Sequence, residues 1–459
     1  MNRAPFRLLV VSGSALLLTG AAIAAPLAMP AWAERPAADL YPDSREGRCA
    51  RAFVEMVNGK GDDLIRTFES EFRSDAQKKK VPIDQRIPRV EGVRNDFAPL
   101  TVTRVATTDE FVVFATTGKG DDIAMLFQMS PQQQGAVDGI EIMPAKEYQA
   151  PTRIDAAART EIVNAVCATL EKEYVYPDVA KKMADHARQR LKDGAYQDAL
   201  NERALAAALA SDLRSVSHDK HLDVRTTREP MPTAEQQRAT DDPQPDPDMA
   251  AMMARENYAF REVKRLEGNI GYLKFDNFVD SPEARQTAAA AMTFLSHSDA
   301  LIVDLRENGG GDPHMIAFLT SFLFDSKTHL NDMVDRDGKV VEEYWTESDV
   351  PGRRLAADTP IYVLTSGFTF SGAEEFCYNL QNLHRATIVG ETTGGGAHPV
   401  KVVGVRGTVA LRVPFMRACN PISKKNWEGV GITPDIATPS SDALEKALGE
   451  ARKSGRRRR

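Results

Sequence analysis

The feature that most constrains the fold is an alternation of short apolar strands and helical segments that begins near Gly268. Each strand candidate is an apolar block bounded by turn residues, and each helix candidate repeats its apolar residues at helical spacing. In order, the segments read GNIGYLKF, SPEARQTAAAAMTFLSH, ALIVDLR, HMIAFLTSFLF, PIYVLTS, SGAEEFCYNLQNL and RATIVGE. This pattern is typical of strand–helix–strand units around a buried, largely parallel sheet. It predicts an α/β core over residues 266–450, with ligand sites at the carboxyl ends of the strands.

A helical module precedes this core in residues 151–225. Its three segments read RTEIVNAVCATLEKEYV, DVAKKMADHARQRLKDG and NERALAAALASDLRSV. The second ends at Gly194, as expected of a helix C-cap, and the third runs into SHDKHLDVRTT, where Leu222 and Val224 alternate as in a strand. We expect a small helical bundle that ends in a strand, followed by a polar linker or loop over residues 226–265.

Residues 34–150 predict a separate accessory domain. Apolar residues recur at helical spacing between Arg48 and Phe72, and four strand candidates follow: LTVTRVA, EFVVFATT, DIAMLFQM and VDGIEIMP. One or two helices against a curved antiparallel sheet form an α+β domain, for which a cone of the nuclear-transport-factor type is one arrangement. The segment carries no cluster of acid–base groups, so we expect no catalytic role for it.

The first 33 residues have the pattern of a secretory signal peptide. Arg3 and Arg7 precede an apolar stretch, and Ala31-Trp32-Ala33 supplies small residues at the expected cleavage position. Polar residues interrupt the apolar run and prolines follow it, which disfavours an uncleaved membrane anchor. We therefore expect export to the periplasm or the extracellular space, without stable membrane insertion after cleavage.

Charge and cysteine content limit the partners and the covalent structure. The formal net charge is −7, and the one basic run, in residues 451–459, is expected to be a solvated tail, so the sequence gives no indication of nucleic-acid binding. Four cysteines in an exported chain permit two disulfides in any of three connectivities. The alternative is that some are small buried apolar residues. They are Cys49, Cys167, Cys377 and Cys419.

One serine stands at the junction of a predicted strand and a predicted helix. It is Ser371, in the stretch TFSGAEEF. A helix N-terminus favours negative charge, so a serine there is a candidate nucleophile, and Gly372 would let a substrate approach the backbone. Glu374, three residues later, completes a capping-box pattern. Ser371 as a simple helix cap is therefore the alternative.

A second strand end carries the loop DLRENGGGD, residues 304–312. Its consecutive glycines expose backbone N–H groups that could form an oxyanion hole. A turn that requires positive φ is the structural alternative. A phosphate-binding loop would continue with Gly-Lys-Ser or Gly-Lys-Thr, which is missing here.

A serine nucleophile requires a base, and three histidines lie in suggestive settings. His218 and His221 belong to the sequence His-Asp-Lys-His, and His398 follows the glycines of residues 394–396. Glu428, in WEGVGITPD, could orient an imidazole. No third ligand follows His218 and His221 at a spacing familiar from zinc sites, so we expect no metal.

Four motifs in this order, DLRENGGG, FSGAEEF, IVGETTGGG and WEGVGITPD, resemble the tail-specific or C-terminal-processing serine peptidases. Within that family, the chain is similar to the branch that contains the tricorn core protease and interphotoreceptor retinoid-binding protein. The resemblance covers residues 153–450 and implies a core of the Clp-protease/crotonase-like type, with no cofactor. It also implies Ser371 as nucleophile and oxyanion donors from Gly309 or Gly310 together with Gly372.

The sequence departs from the processing peptidases at the base. Those peptidases use a lysine beyond the serine, and the matching position here falls in the glycines of residues 394–396. The tricorn-like branch uses a histidine from the earlier helical region and a glutamate after the serine, which implies His221 as base and Glu428 as its orienting group. His218 is the reserve base.

The resemblance implies an exported serine endopeptidase that acts on peptides or unfolded proteins. A non-catalytic binding protein for an apolar ligand or a peptide is the alternative, because the retinoid-binding relative uses a similar scaffold.

Overall fold

The computed structural model describes residues 40–81, 83–107, 110–130, 133–239 and 247–458. The chain forms two compact units, with the boundary between Pro151 and Thr152. The predicted signal peptide, residues 1–33, lies outside the described residues. Within the described ranges, no helix is both long enough and apolar enough to serve as a membrane span.

The first unit packs helices against an antiparallel sheet. Its elements are α1 (Arg45–Asn58), α2 (Asp62–Glu71), α3 (Asp75–Lys80), α4 (Ile83–Phe97), β1 (Thr101–Ala106), β2 (Phe111–Thr116), β3 (Asp122–Met129) and β4 (Val137–Pro144), with the strands in the order β1-β2-β3-β4. In its core the ring of Phe53 lies edge-on, 5.6 Å from Phe68 and 5.7 Å from Phe127 between centroids. This is the predicted α+β arrangement, with more helices than the expected one or two. The cone of the nuclear-transport-factor type stays a prediction.

The second unit contains a helical bundle and a larger α/β core. Its helices are α5 (Ala156–Glu173), α6 (Pro177–Lys192), α7 (Glu202–Ser217), α8 (Ala234–Ala239), α9 (Pro247–Arg255), α10 (Pro282–Leu295), α11 (Pro313–Ser321), α12 (Gly372–Asn382) and α13 (Ala443–Arg458). Its strands are β5 (Asp223–Thr226), β6 (Phe260–Leu266), β7 (Ile270–Phe275), β8 (Ala300–Asp304), β9 (His329–Val334), β10 (Val340–Trp345), β11 (Ile361–Thr365), β12 (Thr387–Gly390), β13 (Val400–Arg406), β14 (Val409–Pro414), β15 (Arg417–Cys419) and β16 (Ile436–Ala437).

The main sheet has the strand order β16-β12-β11-β8-β7-β6, and only the edge strand β6 is antiparallel to its neighbour. Successive residues of a strand point to opposite faces. Val303 therefore packs on the side of α10, α11 and α12, whereas Ile302 packs on the side of α13. Burial on both faces is what a parallel sheet requires, and the predicted α/β fold class is confirmed.

The helical bundle packs against a second sheet, formed by β13, β14 and β5. Strand β5 pairs with β14, which pairs with β13, and Val224 lies opposite Leu411. Both side chains belong to one apolar cluster with the buried faces of α5, α6 and α7. Helix α7 ends at His218, whose left-handed φ of 56° turns the chain toward β5. The link between α7 and β5, which carries His221, is thereby fixed against the core.

The stretch predicted as a polar linker, residues 226–265, contains α8, α9 and the edge strand β6. The side-chain amide of Gln237 donates to the carbonyl of Val402 (2.8 Å), and the Gly404 N–H donates to the carbonyl of Pro232 (2.8 Å). These bonds to β13 order a segment that is too polar to form a core of its own. Helix α13 likewise continues to Arg458, through residues predicted as a basic tail.

All four cysteines are free thiols. Cys49, Cys167 and Cys377 are buried among apolar side chains, and Cys419 is half-buried. The disulfide alternative is therefore not adopted, and the interpretation as small apolar residues fits the three buried thiols.

Candidate active site

The loops that follow β8 and β11 lie together at the carboxyl end of the main sheet. The two strands are parallel neighbours, and Leu364 pairs with Asp304 near their carboxyl ends. The Phe370 N–H donates to the carbonyl of Asn308 (3.2 Å), so the loop with the candidate serine is bonded to the loop with the glycines. Ligand sites are expected at such carboxyl ends.

Ser371 precedes α12 in a backbone conformation that residues other than glycine rarely adopt. Its φ is 54° and its ψ is −121°. Such a conformation costs about 1–3 kcal/mol for a residue with a side chain, and it persists only where the surroundings impose it. Here the carboxylate of Glu374 accepts a hydrogen bond from the Ser371 N–H (2.8 Å). Glu374 thus contributes the backbone half of the predicted capping box.

Glu374 also holds the glycine loop of residues 394–396. Its carboxylate accepts hydrogen bonds from the N–H groups of Gly395 (2.6 Å) and Gly396 (2.8 Å) and from the hydroxyl of Thr393. Burial raises the pKa of Glu374 to about 7, although these hydrogen bonds act to lower it. One carboxylate therefore joins the turn at Ser371 to the loop that precedes His398.

His221 lies beside the candidate serine. Its Nε2 is 3.2 Å from Ser371 Oγ, across 150 positions of sequence. The imidazole is buried, and its centroid lies 4.7 Å from that of Phe370. Burial, with the positive charge of Arg412, lowers the pKa of His221 to about 3. The imidazole is therefore neutral near pH 7, and it can accept a proton at Nε2 if its own proton resides on Nδ1.

Two carboxylates lie near this imidazole. His221, Asp219 and Glu428 each offer an atom, and these atoms lie within 4.8 Å of one another. Both His221 Nδ1 and Glu428 Oε1 are buried and have no hydrogen-bond partner among the described residues. Asp219, in contrast, accepts from the His221 N–H (2.9 Å) and from the Tyr174 hydroxyl (3.0 Å). Glu428 thus has an unused acceptor oxygen, and His221 has an unused ring nitrogen, within the same cluster of side chains.

The glycines of residues 394–396 leave room for this histidine. A Cβ placed on Gly396 would lie 2.6 Å from His221 Cε1 and 2.3 Å from Phe370 Cζ. No side chain fits at distances this short. Gly396, one of the three positions to which the family resemblance matches a lysine, could therefore carry a side chain only if the rings of His221 and Phe370 moved.

The predicted oxyanion donors differ in whether their N–H groups already donate a hydrogen bond. The Gly309 N–H donates to the carbonyl of Asp276 (3.1 Å), and the Gly310 N–H donates to the side-chain oxygen of Asn308 (2.9 Å). The Gly372 N–H, at the start of α12, has no acceptor within the described ranges. Of the three predicted groups, Gly372 alone presents an unengaged donor beside Ser371.

His218, the predicted reserve base, is exposed and forms the left-handed C-cap of α7. In the described part of the chain, no hydrogen bond joins it to Ser371. His221 occupies the position next to Ser371 instead, because the turn at His218 directs the chain toward β5.

Three sets of side chains in the described residues could reach a common cation: Asp219, His221 and Glu428; Asp280, Asp312 and His314; and His329, Asp332 and Glu343. In the second set His314 Nδ1 lies 3.0 Å from Asp312, and in the third His329 Nε2 lies 2.6 Å from Asp332.

Two residues of the site were not predicted from the sequence. Asp219 lies within His-Asp-Lys-His, and its place beside a candidate base was a signal. His398 was considered as a base, whereas the structure places its Nδ1 2.7 Å from Asp219 Oδ2. Only the fold brings residues 219 and 398 together, so their spacing carried no information.

Glu375, which follows Glu374 on α12, permits a stability prediction. Its side chain is buried, and its Oε1 has no hydrogen-bond partner among the described residues. Burial raises the pKa of Glu375 from 4.5 to about 7, although the amides of Asn331 and Asn379 act to lower it. Between these pKa values the folded protein keeps a proton that the unfolded chain has lost, so stability falls as pH rises.

Glu375→Gln keeps the shape of the side chain and cannot ionise. Between about pH 5 and about pH 8, the free energy of unfolding should therefore decrease less in this variant than in the parent, with a difference of at most about 3 kcal/mol. The free energy of unfolding in urea, measured at both pH values for both proteins, checks this. Equal losses in the variant and the parent would contradict it. Glu374 contributes in the same direction, so part of the pH dependence should remain.

Two family models match separate parts of the chain. The family model described as Peptidase family S41 matches residues 269–438. Residues 269–438 thus carry a domain of peptidase family S41. A second model, described as the N-terminal domain of this peptidase family in eukaryotic IRBP, matches residues 156–263, which hold the bundle and its link to the core. The predicted family, a family of serine peptidases, is confirmed.

Curated S41 relatives match part of their own length. A carboxy-terminal-processing protease of Bartonella bacilliformis is 29% identical over 182 residues, which cover 38% of this chain and 39% of that protein. The chloroplastic carboxyl-terminal-processing peptidase 2 of Arabidopsis thaliana is 26% identical over 181 residues, which cover 38% of this chain and 32% of that protein. The chain thus matches well under half the length of these relatives.

Among solved structures, a candidate peptidase of Parabacteroides merdae superposes with a TM-score of 0.47 at 18% identity, over 64% of this chain and 96% of that one. The photosystem II D1 C-terminal processing protease superposes with a TM-score of 0.41 at 15% identity, over 65% of this chain and 97% of that one.

Proposed function

We propose that this chain is an exported serine endopeptidase that hydrolyses peptide bonds through an acyl-enzyme on Ser371. One observation carries the proposal: His221 Nε2 lies 3.2 Å from Ser371 Oγ at the N-terminus of α12. A nucleophile and a base at hydrogen-bond distance are the starting geometry for acyl transfer.

The proposed roles follow the chemistry of the side chains. His221 takes the hydroxyl proton as Ser371 Oγ attacks the substrate carbonyl, and it then gives this proton to the leaving amine. Water attacks the acyl-enzyme in the second half of the reaction, again with His221 as base. Glu428 orients His221 by accepting from Nδ1–H, for which its unpartnered Oε1 is available.

The Gly372 N–H is the proposed primary oxyanion donor, because it is unengaged and lies at the positive end of the α12 dipole. The Gly310 N–H would join it only if the Asn308 side chain released the hydrogen bond that it now accepts. Gly309 remains a weaker proposal, since its N–H is bonded to the carbonyl of Asp276.

Peptides or unfolded proteins are the proposed substrates, and the periplasm or the extracellular space is the proposed location. The signal-peptide pattern of the first 33 residues supports export. Sequencing the N-terminus of the chain from an exporting host tests this, and a chain that keeps Arg3 and Arg7 would contradict cleavage near residue 33.

A fluorophosphonate probe tests the catalytic proposal. We expect the parent protein to be labelled, the label to map to Ser371 by mass spectrometry, and Ser371→Ala to remain unlabelled. An established serine peptidase serves as the control for probe quality. If the control is labelled and the parent is not, the proposal fails and the alternative of a non-catalytic binding protein gains.

A further inference from the structure

A second buried imidazole lies behind the candidate triad. His398 is 3% exposed, and its Nδ1 is 2.7 Å from Asp219 Oδ2 and 3.4 Å from Glu428 Oε2. Its ring packs edge-on against Tyr176, whose hydroxyl lies 3.5 Å from His398 Nε2. This one nitrogen therefore faces both of the carboxylates that flank His221.

The two carboxylates are not equivalent. Although burial acts to raise the pKa of Asp219, the hydrogen bond and the charge of His398 hold that pKa below its ordinary value. Burial raises the pKa of Glu428, and the negative charge of Asp219 adds to this increase, while His398 opposes it. Paired acids with opposite pKa shifts often divide their roles. Asp219 is thus the fixed anion, and Glu428 is the group whose ionisation depends on its neighbours.

The hydrogen bonds of the two carboxylates also differ. Both oxygens of Asp219 are occupied, whereas Glu428 uses only Oε2, which accepts from the Ala397 N–H (2.6 Å). Since Ala397 precedes His398, the loop that carries the imidazole also holds Glu428 by its backbone. Glu428 Oε1 and His221 Nδ1 are left as a buried acceptor and a buried donor with no partner among the described residues.

We propose that His398 is a positioning residue that shares its Nδ1–H between Asp219 and Glu428 and so directs Glu428 Oε1 toward His221 Nδ1. This inference rests on the proposed peptidase function and extends it by one residue. Within the described ranges His398 forms no hydrogen bond to Ser371, so its proposed effect on the reaction passes through Glu428. The other titratable or charged groups that face this cluster are His221, Tyr174, Tyr176, Lys220, Arg412, Arg417, which lies over the ring of Tyr176, and Cys419.

The sign of the pH effect follows from the pKa shifts. Because His398 lowers the pKa of both Asp219 and Glu428, its removal raises both. Glu428 then becomes protonated at a higher pH, and a protonated carboxyl orients His221 less well. The acidic limb of the rate profile should therefore move to higher pH, and activity should partly recover at alkaline pH. Damaged packing alone would lower the rate similarly at every pH.

The experiment measures the second-order rate constant of fluorophosphonate labelling between about pH 5 and about pH 9, for the parent and for His398→Ala and His398→Asn. Asn can place an amide N–H near the position of Nδ1–H, so it serves as the conservative rescue. His297→Ala is the matched control, because that histidine is exposed and lies outside the site. Thermal midpoints report whether each variant folds.

We expect His398→Ala to label at least about tenfold more slowly near pH 7, which is a part of the about 10²- to 10⁴-fold that acid–base catalysis supplies. Its acidic limb should lie at higher pH, His398→Asn should recover most of the rate, and His297→Ala should match the parent. A parent that labels, together with variants that keep its rate and its profile, would overturn this inference and leave the proposed function standing. A uniform loss in both variants, with the limb unmoved, would also overturn it. A parent that does not label would overturn the proposed function itself.

Discussion

Ser371→Ala and His221→Ala are each expected to lower peptidase kcat by on the order of 10³-fold or more, and the double variant should lose no more than the worse single variant. The hydroxyl and the imidazole act as one unit at 3.2 Å, so either substitution removes the same proton transfer. The measurement is initial-rate hydrolysis of a casein-like substrate by the four proteins.

His218→Asn is the matched control for that experiment. His218 belongs to the same His-Asp-Lys-His sequence, but it is exposed and caps α7 with a φ of 56°. Asn tolerates this left-handed conformation better than Ala does, so the variant removes the imidazole without backbone strain. Activity near that of the parent is expected. Comparable losses at His218 and His221, or losses that add in the double variant, would contradict the assignment of His221 as the base.

As the proposed base, His221 depends on its neighbours. A buried imidazole whose pKa is lowered to about 3 has little affinity for the serine proton. A hydrogen bond from Nδ1–H to an ionised carboxylate stabilises the imidazolium and raises that pKa. Glu428 can accept this bond at Oε1, which has no partner among the described residues. We expect the bond to form when substrate binds. Catalytic hydrogen bonds often tighten only in the substrate complex.

The fold could be predicted from the sequence because its signals are local, whereas the proximity of Ser371 and His221 was implied only by the family resemblance. Strand and helix periods are visible over short windows, and Ser371 stands where a predicted strand meets a predicted helix. His221 followed from the order of the motifs and from the family resemblance. The glycines of residues 394–396 were recognised only as a missing lysine. Their steric reason, the imidazole that fills the space beside Gly396, depends on a contact between distant segments.

Other features could not be predicted because they depend on competition between partners. The N–H groups of Gly309 and Gly310 were expected to be free, yet the carbonyl of Asp276 and the side chain of Asn308 accept from them. The polar stretch before the core folds into α8 and α9, and its segment beside β13 is held by hydrogen bonds to that strand. The composition of a segment indicates how much apolar surface it can bury. It does not specify which distant groups will form hydrogen bonds with the backbone of that segment.

Gly310→Ala is expected to destabilise the protein by about 2–4 kcal/mol and to slow labelling of Ser371 by about 10²-fold. A Cβ on Gly310 would lie 2.8 Å from Ser371 Cβ and 2.8 Å from the Gly372 nitrogen. The φ of 112° at this position is itself strained for alanine. The serine loop must move to admit the methyl group, and a displaced Oγ leaves the reach of His221.

Gly309→Ala is the matched control, one residue away. A Cβ there would meet nothing within 4 Å, and the backbone needs no positive φ. The free energy of unfolding should change by no more than about 0.5 kcal/mol, and labelling should stay near that of the parent. Urea unfolding and labelling rates for the three proteins decide the matter. If Gly310→Ala kept its stability but lost labelling, the close approach to Ser371 would affect only the geometry of the site. If the variant kept both its stability and its labelling, the packing of the glycine loop would not be needed to hold Ser371 in place.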